Sequence, residues 1–200
     1  DSDAQRSERS WILGLNSHLP KAASVLWIRE VDDDFHARFS AFARTYRYRI
    51  LNRWIRPALE SRLMSWCRTP LDVEAMNQAA LTLLGEHDFP SFRATACQAR
   101  HAVREIQAIS VKREGDIVTL DVTANGFLYH MVRNIAGSLM HVGKGEAPVS
   151  WMKDTLEKMD RNAAAPTAQP EGLYFVGARY PSNYGLPGEA PAFPRGRGLS

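Results

Sequence analysis

The residues best suited to chemistry form one run, Phe35 to Ile50, FHARFSAFARTYRYRI, in which aromatic rings and guanidinium groups follow one another without a proline or glycine. Read as a strand, its alternation puts Arg44, Tyr46, Tyr48 and Ile50 on one face and Thr45, Arg47 and Arg49 on the other. Rings stack on bases and guanidinium forks grip phosphates, so this composition suits a nucleic acid. It also suits an edge strand with one solvated face, tyrosine being common in strands, and spacing alone leans to that plainer account.

Other chemistry-bearing residues are scattered. Arg53, Trp54 and Arg56 repeat the aromatic and basic texture just after the run. Between His87 and Arg104 lies a polar, basic stretch with Phe89, Phe92, Arg93, Gln98, Arg100 and His101, either a second RNA contact or an ordinary surface loop. Asp32, Asp33 and Asp34 are adjacent, and consecutive turn residues point in divergent directions, so a solvated turn fits them better than a metal site. Arg133 falls in the first turn of an expected helix, where the positive end of the dipole disfavours a cation and invites a functional reason.

These residues need elements to hold them. A short helix over Arg9 to Leu15, with Trp11, Ile12 and Leu15 on one face, precedes an alternating stretch, Ser24 to Val31, that reads as a strand. The aromatic run continues as a strand to about Leu51. Asp72 caps a helix with the apolar stripe Val73, Met76, Ala80, Leu83 and Leu84, stopped by Gly85. Ile106 to Lys112 and Ile117 to Ala124 form a hairpin turning at Gly115. A helix follows with Met131, Ile135, Leu139 and Val142 inward and Gly143 at its end. Ser150 caps a shorter one carrying Trp151, Met152, Thr155, Leu156 and Met159 inward; Asn162 to Pro170 reads as a linker and Gly172 to Tyr180 as a last strand. The sum is an α/β (α+β) domain with a mainly antiparallel sheet flanked by helices. The Pro- and Gly-rich residues 181–200 read as a mobile or strapping tail.

The composition is that of a chain able to bury a core, with 44% hydrophobic residues, and its net charge of +3 is too mild to argue for RNA without clustering. Cys67 and Cys97 stand far apart in no CxxC pair, which indicates neither a zinc site nor a disulfide framework and makes a reduced cytoplasmic setting the expectation. No apolar run approaches a membrane span, and the first residues do not form a signal peptide.

Three motifs in order, FHARFSAFARTYRY, NGFLYHMVRNIAGSLMHVG from Asn125 to Gly143, and EGLYFVGARY from Glu171 to Tyr180, resemble those of the tRNA pseudouridine synthase A family. The resemblance implies the pseudouridine synthase fold, incomplete here at its N-terminus. Residues 1–33 would then be the remainder of an N-terminal α/β half, and 34–180 the C-terminal domain with the RNA-binding cleft. It further implies isomerisation of uridine to pseudouridine in the anticodon stem-loop of tRNA, without metal or organic cofactor, by a homodimer.

By the same resemblance Tyr46 stacks on the flipped uridine and is a candidate base, Arg133 pairs with the catalytic nucleophile, and Leu173 lines the base pocket. Phe35, His36, Ala37, Arg38 and Phe39, together with Ala96, Cys97, Gln98, Ala99 and Arg100, match segments that touch tRNA. The family's nucleophilic aspartate belongs to a motif of the type GRTDAGVHA, which does not occur in these residues, so the expectation is that the aspartate lies upstream and that this chain alone is inactive. The rival expectations are a noncatalytic tRNA-binding module and a fragment that serves only to dimerise.

Overall fold

The structure is a computed structural model that describes residues 6–187. Its centre is a six-stranded sheet. The aromatic run supplies β1 (Ala43–Asn52), which pairs antiparallel with β5 (Ile117–Ala124), itself hairpinned to β4 (Val103–Glu114). On the other side of β1, β6 (Leu173–Arg179) pairs antiparallel with its first half and β2 (Ser65–Cys67) pairs parallel with its end. The short β3 (Gly85–Asp88) closes the far edge on β4. β1 is therefore an interior strand, not the edge strand that spacing alone favoured.

Register explains which side chains go inward. Tyr48, Leu120 and Val111 are aligned across three strands, as are Tyr46, Val122 and Ile109, and this face lies under the helices. The opposite face aligns Arg47, Asp121 and Ser110, and there Arg47 forks onto Asp121, with Nε to Oδ1 at 2.7 Å and Nη2 to Oδ2 at 2.9 Å. A guanidinium committed to a neighbouring carboxylate is not free to grip phosphate.

Two helices cover the inner face. In α2 (Val73–Leu81), Asp72 caps the first turn by accepting from the Ala75 N–H at 3.0 Å, and Met76, Ala79 and Ala80 are buried. In α3 (Met131–Gly143), Met131, Ile135, Leu139 and Val142 are all buried as the periodicity predicts, each such side chain contributing about 1.5–3 kcal/mol. The shorter α4 (Trp151–Glu157) packs Met152, Thr155 and Leu156 beneath them. Among these residues Ser150 makes no capping hydrogen bond with its side chain, and Met159 is exposed rather than inward. Met159 falls past the last helical turn at φ +51°, where the chain has already turned away.

Four further expectations change. Ser24 to Val31 forms no strand: Val25 spends its N–H and C=O on the Asn16 side chain, at 2.7 and 2.9 Å, where a sheet neighbour would have to bond. The N-terminal helix is present as α1 (Glu8–His18), capped by Ser7, but it has no buried residue. Phe89 and Phe92 are wholly buried core residues and not RNA contacts, and His87 and Asp88 belong to β3. The Asn162 to Pro170 segment is no loose linker. Arg161 donates to the carbonyls of Ala164 and Ala165 and to the side chains of Asn134 and Thr167, and this ties the segment to α3. It lies so close that a Cβ on Gly137 would strike the Pro166 carbonyl. Most of the expected tail, 188–200, lies outside the described residues.

Candidate active-site cleft

The helical cover stops short of the Tyr46 end of the inner face, and a cleft of about 900 Å³ opens there. Its floor is Tyr46 from β1 and Leu173 from the start of β6. One wall is the first turn of α3 with the residues that lead into it, Phe127 to Arg133; the other is the loop containing Ala96, Cys97, Gln98 and Ala99, with Arg38 and Arg104 at the rim. The volume lies within the usual range of ligand clefts.

Tyr46 is half-buried and held between two rings, Phe127 with centroids 5.0 Å away and Phe175, its cross-strand partner, at 5.4 Å. Both contacts are edge-on, the geometry that suits the ring quadrupole. Arg133 is also half-buried. Its Nε donates to the Ala168 carbonyl at 2.8 Å and its Nη1 to His130 Nε2 at 3.2 Å, while Nη2 has no partner among the described residues. No carboxylate appears among the described residues lining the cleft. A half-buried guanidinium with only neutral acceptors favours an anion brought to it.

The walls are pinned by local bonding. Arg93 donates to the carbonyls of Cys97 and Ala99, both at 2.8 Å, the Tyr129 N–H reaches Cys97 Sγ at 3.4 Å, and the Ala94 N–H reaches the Tyr129 carbonyl at 3.1 Å. Burial pushes the Cys97 thiol up, but the Tyr129 N–H, the Ala99 backbone and Arg93 outweigh it and leave it below the ordinary cysteine value. Arg104 is shifted down, first by burial and then by Arg93. The Arg38 turn is organised by His36, whose Nδ1 accepts from the N–H groups of Arg38 and Phe39, and by Arg44, which donates to the Arg38 and Asn125 carbonyls.

The structure thus gathers Tyr46, Arg133, Leu173, Arg38, Ala96, Cys97, Gln98 and Ala99 around one cleft. Phe35, His36, Ala37, Phe39 and Arg100 do not line it: Phe35 packs against Tyr180 and Tyr184 at 5.1 Å each, His36 serves its own turn, and Phe39 and Arg100 are exposed outside. Arg104, which ends the basic stretch singled out in the sequence, also lines the cleft, whereas sequence reading missed Phe127, Tyr129 and His130. Their signal was the aromatic and histidine density of GFLYH immediately before a helix, which periodicity treats as mere approach. Among the described residues no cluster of His, Cys, Asp and Glu could hold a metal, and no helix is long and apolar enough to cross a membrane.

A family model described as tRNA pseudouridine synthase matches residues 79–181, which include β4, β5, α3 and the whole of β6. A protein named tRNA pseudouridine synthase A from Xanthomonas campestris pv. campestris (strain B100) is 54% identical over 189 residues, 94% of this chain and 74% of that protein. Proteins of the same name from Xanthomonas euvesicatoria pv. vesicatoria (strain 85-10) and Xylella fastidiosa (strain M12) are 55% and 53% identical over the same shares. With the Tyr46, Arg133 and Leu173 cleft assembled from the motifs that first carried the resemblance, the chain belongs to the tRNA pseudouridine synthase A family.

Proposed function

We propose that the cleft isomerises uridine to pseudouridine in the anticodon stem-loop of tRNA, and that Tyr46, Arg133 and Leu173 are the part of the active site these residues supply. The observation that carries the reading is Arg133: a half-buried cation, oriented by two neutral acceptors, open on one side and without a carboxylate partner among the described residues. In the proposed reaction the uridine leaves its stack and enters the cleft. The Tyr46 ring lies against the base and Leu173 closes the apolar side. An aspartate held ionised by Arg133 attacks C1′ as nucleophile, and the N1–C1′ glycosidic bond breaks as the aspartate–C1′ bond forms. The base turns, C5 bonds to C1′ as the aspartate–C1′ bond breaks and the carboxylate is released, and N1 takes up a proton. The C5 proton is removed, for which the Tyr46 hydroxyl is the base, and the atoms of substrate and product are the same.

Around this centre, Arg38 and Arg104 give the rim positive charge for the RNA backbone. Gln98 and the backbone of Ala96, Cys97 and Ala99 form a wall for the stem-loop, with Phe35, His36, Ala37, Phe39 and Arg100 as outer contacts. The chemistry needs no metal or organic cofactor, and we place it in a cytoplasmic homodimer whose partner is tRNA. The 200-residue chain by itself forms no pseudouridine, because no nucleophilic carboxylate lines the cleft among the described residues. Purified chain and full-length protein, each incubated with unmodified tRNA transcript, test this by nucleoside analysis. Pseudouridine from the full-length protein only is expected; turnover by the chain alone would overturn the reading.

A further inference from the structure

His130 occupies an unusual position. It is the residue before α3, with φ +60° and ψ +8°, a left-handed conformation that a bulky side chain adopts at a cost of about 1–3 kcal/mol. A residue at this position ordinarily has an extended backbone and accepts from the first turn with its side chain, yet His130 is left-handed and its side chain caps nothing. Its ring stacks on Tyr129, centroids 4.0 Å apart and planes at 24°, and its Nε2 lies 3.2 Å from Arg133 Nη1. A guanidinium can only donate, so Nε2 is the acceptor and the ring is neutral with its proton on Nδ1.

Arg133 is thus gripped from two sides. The Ala168 carbonyl takes Nε, and that residue is itself fixed because its N–H donates to the Arg133 carbonyl at 3.1 Å. His130 takes Nη1. The plane of the guanidinium is defined by these two bonds, and Nη2 is the donor left over.

We propose that His130 is a positioning residue for Arg133: the left-handed turn aims the neutral imidazole at Nη1, and this holds the guanidinium so that Nη2 is presented to the carboxylate nucleophile. The inference rests on the role assigned to Arg133 above and adds a residue to it. It carries a pH dependence. A protonated His130 has no lone pair for Nη1 and sets two cations face to face. Burial, and then Arg133, already hold the imidazole below its ordinary value, so the ring is neutral near pH 7 and the grip is lost only as pH falls through that lowered value. The other titratable groups at the cleft are Tyr129 on the ring face and, from the neighbouring elements, Tyr46, Arg38, Arg104 and Cys97, with no carboxylate among the described lining residues to favour the imidazolium.

The test uses the full-length protein with unmodified tRNA and three variants. His130→Asn and His130→Gly accept the left-handed backbone but cannot reach Nη1, and they should fold, bind tRNA as the parent does, and lose about 10- to 100-fold in kcat. His130→Gln places an amide oxygen near the position of Nε2; it should recover most of that loss and abolish the acid limb of kcat expected of His130 in the parent. Parental kcat in both His130→Asn and His130→Gly would overturn the inference. So would an unchanged acid limb in His130→Gln. Arg133→Ala, assayed beside them, separates the two claims: if it is inactive while the His130 variants are not, only the positioning role fails, and if it too retains full turnover, the role of Arg133 fails with it.

Discussion

Tyr46 and Tyr48 lie two residues apart on the same face of β1, and the end of the helical cover separates their fates: Tyr48 is sealed in the core with its hydroxyl donating to the Gln169 carbonyl at 2.7 Å, whereas Tyr46 opens into the cleft. Burial also drives the Tyr48 hydroxyl above its ordinary value, which keeps it a neutral donor. The two hydroxyls therefore do different work. Tyr46→Phe should leave tRNA affinity unchanged and lower kcat, because the stacking ring stays and only the proton acceptor goes. Tyr48→Phe should leave kcat unchanged and cost about 1 kcal/mol of stability. Steady-state kinetics and denaturant unfolding on both variants check the pair; unchanged kcat in Tyr46→Phe removes that residue from proton transfer.

Arg38 is exposed at the rim, and no salt bridge engages it among the described residues. Arg38→Ala should weaken tRNA binding and reduce the slope of log affinity against log salt by about one counterion. Arg47→Ala serves as the contrast, since Asp121 already engages that guanidinium, and its salt slope should match the parent's. Filter binding across a salt series measures both. If Arg38→Ala has the parental slope, the rim is not in contact with phosphate.

Cys97 offers a chemical footprint of the cleft. Its thiol sits below the ordinary cysteine value, while burial pushes Cys67 above it. Near neutral pH, Cys97 should therefore carry more thiolate and alkylate faster than Cys67. Unmodified tRNA should protect Cys97. Mass spectrometry after timed iodoacetamide treatment reads both sites, and equal Cys97 rates with and without tRNA would place the RNA elsewhere.

Gly172 sits where β2 and β6 meet along β1, at φ +101°, and its carbonyl accepts from the Arg49 N–H at 2.9 Å. A Cβ there would run into the Arg49 carbonyl and come within 2.9 Å of the Ser65 backbone nitrogen. Gly172→Ala should cost about 3 kcal/mol, from backbone strain together with the displaced strand contact. Thermal unfolding checks it. Because Leu173 follows directly, turnover should fall as well, and a variant of parental stability would show that the junction is looser than drawn.

Much of this fold could be read in the sequence where a period was strong and a terminator was present. The Met131 to Val142 stripe, the Asp72 cap and the hairpin at Gly115 all stand where pattern placed them. What failed were places where a long-range partner decides. Ser24 to Val31 alternates like a strand, but alternation does not provide a neighbour, and the Asn16 side chain took the Val25 bonds instead. Phe89 and Phe92 sit in a polar stretch, and only the packing of helices against the sheet makes them core. For the site, composition could not choose between Tyr46 and Tyr48, nor see that Arg47 is held by Asp121 across the sheet. The three motifs together located the cleft, while His130, Tyr129 and Phe127 became visible only when the approach to α3 took shape as a wall.

The central claim is that a carboxylate nucleophile works against Arg133 in this cleft, and the most direct measurement is pseudouridine formation by full-length Arg133→Ala beside its tRNA dissociation constant. The account predicts a loss of at least about a hundredfold in kcat with tRNA affinity essentially retained, since the missing charge acts on the reacting carboxylate and not on the RNA backbone. Parental kcat in Arg133→Ala would contradict it.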